Sequence, residues 1–306
     1  MAIAAIFPGQ GAQSVGMLAD LAGRYPQLLD RFTEASDLLG FDMWQMVQTG
    51  PAEVLSQTEN TQPILLTSST ALWDLWQTQG VTPDYVAGHS LGEYSALVAA
   101  GAISFADGVT LVRKRGELME AAVPRGQGAM AAIMGLEDDQ IAACCDAVDG
   151  VVAPANFNAP GQIVIAGAAQ AVADAADGCK AAGAKRAVML DVSGPFHSPL
   201  MAAAKDEFAQ ALGAVEVTMP SIPIVQNVSA SIPTDLSELT NNLLEQIAAP
   251  VLWSTSVQYM VDAGVEAFVE CGPGNVLAGL GRRISKTTPT SATASVEAME
   301  TLHAGE

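Results

Sequence analysis

Residues Gly88-His89-Ser90-Leu91-Gly92 lie between a strand-like run at 84–87 and an apolar, helix-like run at 93–100. This pentapeptide constrains the fold more than any other stretch, because the chain must pass from strand to helix across it. A serine on so sharp a turn takes a strained backbone, and the flanking glycines lack the Cβ atoms that would clash there. The strain holds Oγ clear of its own backbone. The following helix offers free N–H groups and the positive end of its dipole, both suited to an oxyanion. Acyl-transfer chemistry with Ser90 as nucleophile is the leading expectation, and a plain Gly-Ser turn between core elements is its rival.

Around the elbow, short apolar runs alternate with helical patterns: a strand at 3–7, helices near 26–39 and 62–79, then the elbow itself. Such alternation predicts an α/β fold with a mainly parallel sheet and ligands at the carboxyl ends of its strands, and the serine elbow makes its core hydrolase-like. Residues 128–191 read instead as strand, helix, two strands about Asn158-Ala159-Pro160-Gly161, helix and strand. That βαββαβ order is the signature of a small ferredoxin-like unit. Breaker-rich segments at 124–128 and 193–195 bound it, so the expected organisation is a catalytic body (1–125 and 194–306) carrying an inserted subdomain (126–193). The Thr-, Ser- and Ala-rich tail after Lys286 is expected to fray.

Composition narrows the function. A net charge of -20 argues against nucleic acid as a partner. The apolar N-terminal run lacks a preceding basic segment and stops at Pro8-Gly9, which reads as a first strand and not as a signal peptide. No apolar stretch approaches the roughly 20 residues that span a bilayer, so a soluble protein without membrane association is expected. Cys144, Cys145, Cys179 and Cys271 show no C-x-x-C spacing and there are 3 histidines. No metal site is expected, and a reducing, cytoplasmic location fits.

The scarcity of histidine shortens the search for a base. His303 lies in the tail, and His89 adjoins Ser90 with its side chain expected to point away from Oγ. His197 remains, in Ser193-Gly194-Pro195-Phe196-His197-Ser198-Pro199 between subdomain and body. A second clue is Arg115. Ser104 and Asp107 resemble a capping box opening a helix on which Leu111, Val112, Leu118, Met119 and Ala122 share one arc, with Arg115 at its middle. A buried guanidinium needs an anion or several acceptors; a carboxylate of the fold and a carboxylate of a ligand satisfy it equally well. Phe7-Pro8-Gly9-Gln10-Gly11 lacks the spacing and the Lys of a phosphate loop; it is either a tight strand-to-helix turn or a backbone donor for an oxyanion hole.

Taken together, FPGQGAQ (7–13), NTQP (60–63), GHSLGEYSAL (88–97), VRKRGELM (112–119), GAMAAIMGL (128–136), NFNAPGQIVIAG (156–167), VSGPFHSPLM (192–201) and ECGPGNVL (270–277) resemble the malonyl-CoA:acyl carrier protein transacylases, the acyltransferase family of fatty acid and polyketide synthesis. The resemblance implies ping-pong transfer from malonyl-CoA to the phosphopantetheine thiol of acyl carrier protein, with no bound cofactor. It implies Ser90 as nucleophile, His197 as base, the N–H groups of Gln10 and Leu91 as oxyanion hole, and Arg115 as clamp for the malonyl carboxylate. Gln62, Asn158 and Phe196 are implied as substrate-binding residues, and the backbone carbonyl of Leu252 as the group orienting His197. Phe196 and Leu91 look like the malonyl-selecting pattern. Some members carry Gln where Leu252 stands here, which puts any side-chain role at that position in doubt.

Three rivals follow. A serine hydrolase or thioesterase shares the elbow and the Ser-before-His order; a silent acyl-binding or carrier-docking module would share the fold; a malonate-utilisation or polyketide enzyme would share the chemistry. Acyl carrier proteins are acidic, so docking is expected to use a local basic patch drawn from Lys180, Lys185, Arg186, Arg282, Arg283 and Lys286.

Overall fold

The structure, a computed structural model, describes residues 2–304. Strand β1 (Ala2–Phe7) is the centre of a parallel sheet, and β2 (Tyr85–Gly88) lies on one side of it. Four strands of a second sheet come next in the chain: β3 (Gly128–Met134), β4 (Val152–Ala159), β5 (Gln162–Ala168) and β6 (Arg186–Met189). The chain then returns to the first sheet with β7 (Ile224–Val225), β8 (Val265–Glu270) and β9 (Thr290–Ala292), giving the order β7-β2-β1-β8-β9. β1 is apolar through its buried half, Ala4 to Phe7, as a parallel strand covered on both faces must be.

The second sheet is antiparallel, in the order β4-β5-β3-β6. Helices Asp138–Asp146 and Ala169–Ala181 pack on it through Ile141, Cys145, Val172 and Cys179, completing the ferredoxin-like unit. One further contact seats this unit on the body. Val251 N–H donates to Ala155 C=O at 2.9 Å, and Phe157 N–H donates to Val251 C=O at 2.9 Å. The edge of β4 is thereby tied to the chain of the larger layer.

The register of the parallel sheet positions the elbow. Phe7 pairs with Gly88, so β1 and β2 end side by side, and His89 N–H donates to Phe7 C=O at 2.9 Å. Helix Gly92–Ala99 leaves at once and packs against β1 and β2. A Cβ on Gly92 would collide with the Phe7 carbonyl, and one on Gly88 with the backbone of Gly92. The glycines of the pentapeptide thus permit a backbone contact that no other residue fits. Ser90 itself sits at φ 53°, in the left-handed region that non-glycine residues seldom occupy.

The tail departs from expectation. Residues 290–292 form β9 against β8, Thr293 N–H donates to Glu270 C=O at 3.0 Å, and helix Val296–Ala304 buries Met299. Composition misled here because an edge strand needs only one paired side and little apolar surface. Among the described residues, no helix is long and apolar enough to cross a membrane.

Replacing Gly92 by Ala is expected to lower stability by about 3 kcal/mol or more, the upper range for overpacking a rigid site. Urea unfolding measures this; a midpoint equal to that of the parent chain would show that the Gly92–Phe7 approach is not constrained.

Candidate active site

Ser90 and His197 meet across a sequence gap of 107 residues, with Oγ and Nε2 2.6 Å apart. His197 is 4% exposed and, like Ser90, has positive φ, at 60°. Its Nδ1 lies 2.7 Å from the backbone carbonyl of Gln246. A carbonyl can only accept, so Nδ1 carries the ring proton and Nε2 is left as the acceptor for the serine hydroxyl. Burial, joined by the nearby charge of Arg115, pushes the His197 pKa down to about 3. The ring is therefore neutral and able to take a proton at ordinary pH.

The carbonyl at Nδ1 corrects the sequence reading, which named Leu252. The Leu252 carbonyl caps helix Trp253–Asp262, accepting from Ser256 N–H and Oγ at 2.9 Å each. Gln246 instead follows the last turn of helix Leu236–Glu245, where carbonyls lack intrahelical donors and are free to meet a side chain.

Arg115 is 1% exposed in helix Phe105–Ala121, whose N-cap is Ser104 accepting from Asp107 N–H. Among the described residues no carboxylate bonds it directly. Its NH1 donates to Gln62 Oε1 at 2.9 Å, and its NH2 to Gln246 Oε1 at 2.8 Å and Ser90 Oγ at 3.3 Å. Its Nε is buried without a partner, and the guanidinium carbon lies 5.3 Å from the Tyr94 ring centroid. Of its neighbours, Arg113 is half-buried and serves the fold, bonding Asn60 Oδ1 at 2.6 Å, while Lys114 faces solvent.

A cavity of about 120 Å³ opens over Ser90 and is lined by Gln10, Gln62, Arg115, Met119, Phe196 and His197, among others. Leu91 also borders it. Neither the Gln10 nor the Leu91 N–H has an intramolecular acceptor among the described residues. A wider cleft of about 600 Å³ adjoins it, sharing Gln10, Leu190 and Val192 and extending to Arg125 and Asp191. Asn158 is not in the cavity wall. Its Oδ1 lies 2.7 Å from His89 Nε2 and holds that ring beside Trp253, while His89 also borders the cavity. Alternation alone would put residues 156 and 158 on one face, but the pairing of β4 with β5 shifts register between Phe157 and Ala159, and it is Asn156 that borders the cavity, its Oδ1 buried without a partner among the described residues.

Behind the serine lies a polar layer that sequence reasoning missed. Ser90 N–H donates to Asn227 Oδ1 at 2.7 Å, and Asn227 Nδ2 donates to Gly88 C=O at 2.6 Å. Glu93 is wholly buried beneath, its pKa pushed up to about 7 by burial against the opposing pull of bonds from Gln246, Asn227 and Gln226. A charged residue inside the apolar run 93–100 was the available signal.

The geometry is that of a nucleophile and neutral base at the carboxyl end of a parallel sheet, facing a buried cation. This is the class of serine acyltransferases and hydrolases. Residues 5–303 match the acyl transferase domain family, and the chain belongs to that family. It is 53% identical over 290 residues to the malonyl CoA-acyl carrier protein transacylase of Escherichia coli, covering 94% of each chain. An acyl carrier protein S-malonyltransferase from Vibrio cholerae, solved by crystallography, matches at TM-score 0.96 and 50% identity, over 99% of this chain and 100% of that one. A malonyl-transacylase solved in complex with its type II polyketide acyl carrier protein matches at TM-score 0.98 and 46% identity, over 100% of both.

Because the folded-state pKa of His197 lies below its ordinary value of 6.5, the native ring stays neutral as pH falls, while the unfolded chain takes up a proton. This group's contribution to stability is therefore present above pH about 6.5 and declines below it. NMR of the His197 ring carbons between pH 7 and 4.5 is expected to show the neutral form throughout; a midpoint near 6.5 would contradict this account of the site.

Proposed function

We propose that the chain moves the malonyl group from malonyl-CoA to the phosphopantetheine thiol of acyl carrier protein through an ester on Ser90, supplying the elongation unit of fatty acid synthesis. The observation that carries this reading is the placement of a neutral base and a buried guanidinium on one serine oxygen: His197 Nε2 at 2.6 Å and Arg115 NH2 at 3.3 Å. A malonyl ester on that oxygen has its free carboxylate a few bonds away, within reach of the guanidinium, which can hold it bidentately. An acetyl ester offers Arg115 nothing, so the buried cation favours the dicarboxylic donor.

In the first half-reaction the Ser90 hydroxyl proton passes to His197 Nε2 as Oγ attacks the thioester carbonyl. The Gln10 and Leu91 N–H groups receive the oxyanion. The C–S bond then breaks, and the departing thiolate takes the proton from Nε2, leaving malonyl-serine and coenzyme A. In the second, the carrier thiol gives its proton to Nε2 and its sulfur attacks the ester; the C–Oγ bond breaks and Oγ takes the proton back. Gln62 aligns Arg115, and Phe196 closes the apolar side of the cavity. Coenzyme A and phosphopantetheine enter as substrates, and no step calls for a bound cofactor.

We take 1–125 with 194–306 as the catalytic body, 126–193 as an inserted subdomain, and the cytoplasm as the place of action. The register of the small sheet supports a joint docking face for the acidic carrier. Gln162, Met134 and Arg186 stand in one row across β5, β3 and β6, and Arg283 donates to Gln162. Arg186 and Arg283 therefore border the same end of the sheet, near Lys185 and Lys180. A second reading, service to a polyketide carrier, draws on the relative solved with such a partner.

Intact-mass analysis after mixing with malonyl-CoA is expected to show a malonyl adduct on the parent chain and none on Ser90→Ala. The adduct should persist until carrier protein is added. Rapid release of free malonate without carrier would favour a hydrolase. Arg115→Ala should lower malonyl transfer about 100-fold, in line with truncating one side of a buried charge pair, and acetyl transfer much less. Equal losses for both donors would remove the clamp. Charge reversal at Lys185, Arg186 and Arg283 together should raise the KM for carrier protein at low salt; an unchanged KM would discard this docking face.

A further inference from the structure

The mechanism above makes no use of Glu93. Its carboxylate is met by amides: Oε1 accepts from Gln226 Nε2 at 3.1 Å, and Oε2 accepts from Gln246 Nε2 at 2.7 Å and from Asn227 N–H at 3.2 Å. Gln226 is itself fixed, donating to Leu239 C=O at 3.1 Å and accepting from Asn242 Nδ2 at 2.9 Å. All three partners are donors, so the arrangement is built for the ionised carboxylate, which can only accept. Glu93 therefore holds Gln246 with its NH2 turned inward, where the second N–H donates to Ser90 C=O at 2.9 Å.

The consequence falls on the other end of that amide. With its nitrogen held by Glu93 and Ser90, Gln246 must present Oε1 to Arg115, which it does at 2.8 Å. The amide thus stands between an anion and a cation that do not touch. Among the described residues, every side chain that accepts a hydrogen bond from the guanidinium is neutral: Gln62 Oε1, Gln246 Oε1 and Ser90 Oγ. An incoming carboxylate can displace neutral acceptors without breaking an ion pair, while the anion that offsets the buried charge stays one amide away.

We infer that Glu93 is a positioning residue for donor selection: through the Gln246 amide it sets the Arg115 guanidinium to meet a dicarboxylic acyl group, and keeps that guanidinium free of any direct ion pair. This rests on the malonyl reading given above. The competing role is a prop for the elbow, since Glu93 also bonds Asn227, whose side chain holds Ser90 N–H. The two roles separate by donor. A loosened elbow slows every acyl group alike, whereas a misdirected guanidinium slows only the one with a carboxylate.

The test is single-turnover acylation by malonyl-CoA and by acetyl-CoA at a pH of about 8.5, where Glu93 is ionised in the parent chain, with rates normalised to the amount of Ser90 that can be acylated. In Glu93→Gln one end of the side chain becomes a donor facing a donor, and the counter-charge is gone. The malonyl rate constant over half-saturation concentration should fall about 10-fold or more, mainly through half-saturation, and the acetyl value less than about 3-fold. Equal losses would overturn the inference in favour of the prop. Should Glu93→Gln not fold, Gln246→Met, close in shape and unable to bridge, should give the same split. If both variants fold, the double variant should be no worse than the worse single one, and losses that multiply would overturn the inference. The parent chain in the same assay keeps the two proposals apart. Absence of malonyl-serine on the parent would refute the malonyl reading, and normal parent acylation with unsplit variants would remove only the role of Glu93.

Discussion

The contact between Gly92 and the carbonyl of Phe7 sets the geometry on which everything else in the site depends. Two parallel strands end in register, and the chain leaving β2 must cross the end of β1 before its helix can begin. Only a residue without a Cβ fits there. The tight crossing puts Ser90 into a left-handed conformation at the carboxyl end of the two strands. It also places the Pro8-Gly9-Gln10 turn beside the elbow, so that backbone donors from two strands border one cavity. His197 and Arg115 come from distant parts of the chain, yet both are aimed at a point that this crossing has already defined.

Much of this was legible because local chemistry and tertiary structure agree. The strand-glycine-serine-glycine-helix order admits few conformations, the period of Phe105–Ala121 puts a cation among apolar residues, and the βαββαβ order of 128–189 has one common solution. In each case a short stretch carries its own reason for the shape it takes. The Ser90–His197 pairing was legible because His89 adjoins the serine and His303 lies in the tail, which leaves one histidine of the 3 as the base.

What was not legible depends on which backbone group lies free after folding. Leu252 and Gln246 are both near the site, but only the carbonyl at the end of a helix has no other donor to serve. Asn156 and Asn158 are two apart on one strand, and a bulge in the β4–β5 pairing between Pro154 and Asn156, and another between Phe157 and Ala159, disturb the simple register that would have ranked them. The tail was misjudged for a related reason: β9 is held by backbone pairing to β8, which side-chain composition does not report.

The uncharged partner of His197 has a consequence for what the dyad can ionise. A carbonyl steadies the ring's orientation, but it lends far less support to an imidazolium than a carboxylate would, and Arg115 stands close enough to oppose the positive form. The result is a feeble base. Ser90 has further help, since Arg115 NH2 donates to its Oγ at 3.3 Å and eases the loss of its proton. A nucleophile attacking the acylated serine has the ring alone and must part with its proton readily. A thiol, at a pKa of about 8.5, needs modest help; water, at about 15.7, needs a great deal more. On the reading proposed above, an ester on Ser90 is thus far more exposed to attack by sulfur than by the solvent around it, and the choice between passing the acyl group on and losing it to water is already weighted by the atom that faces Nδ1.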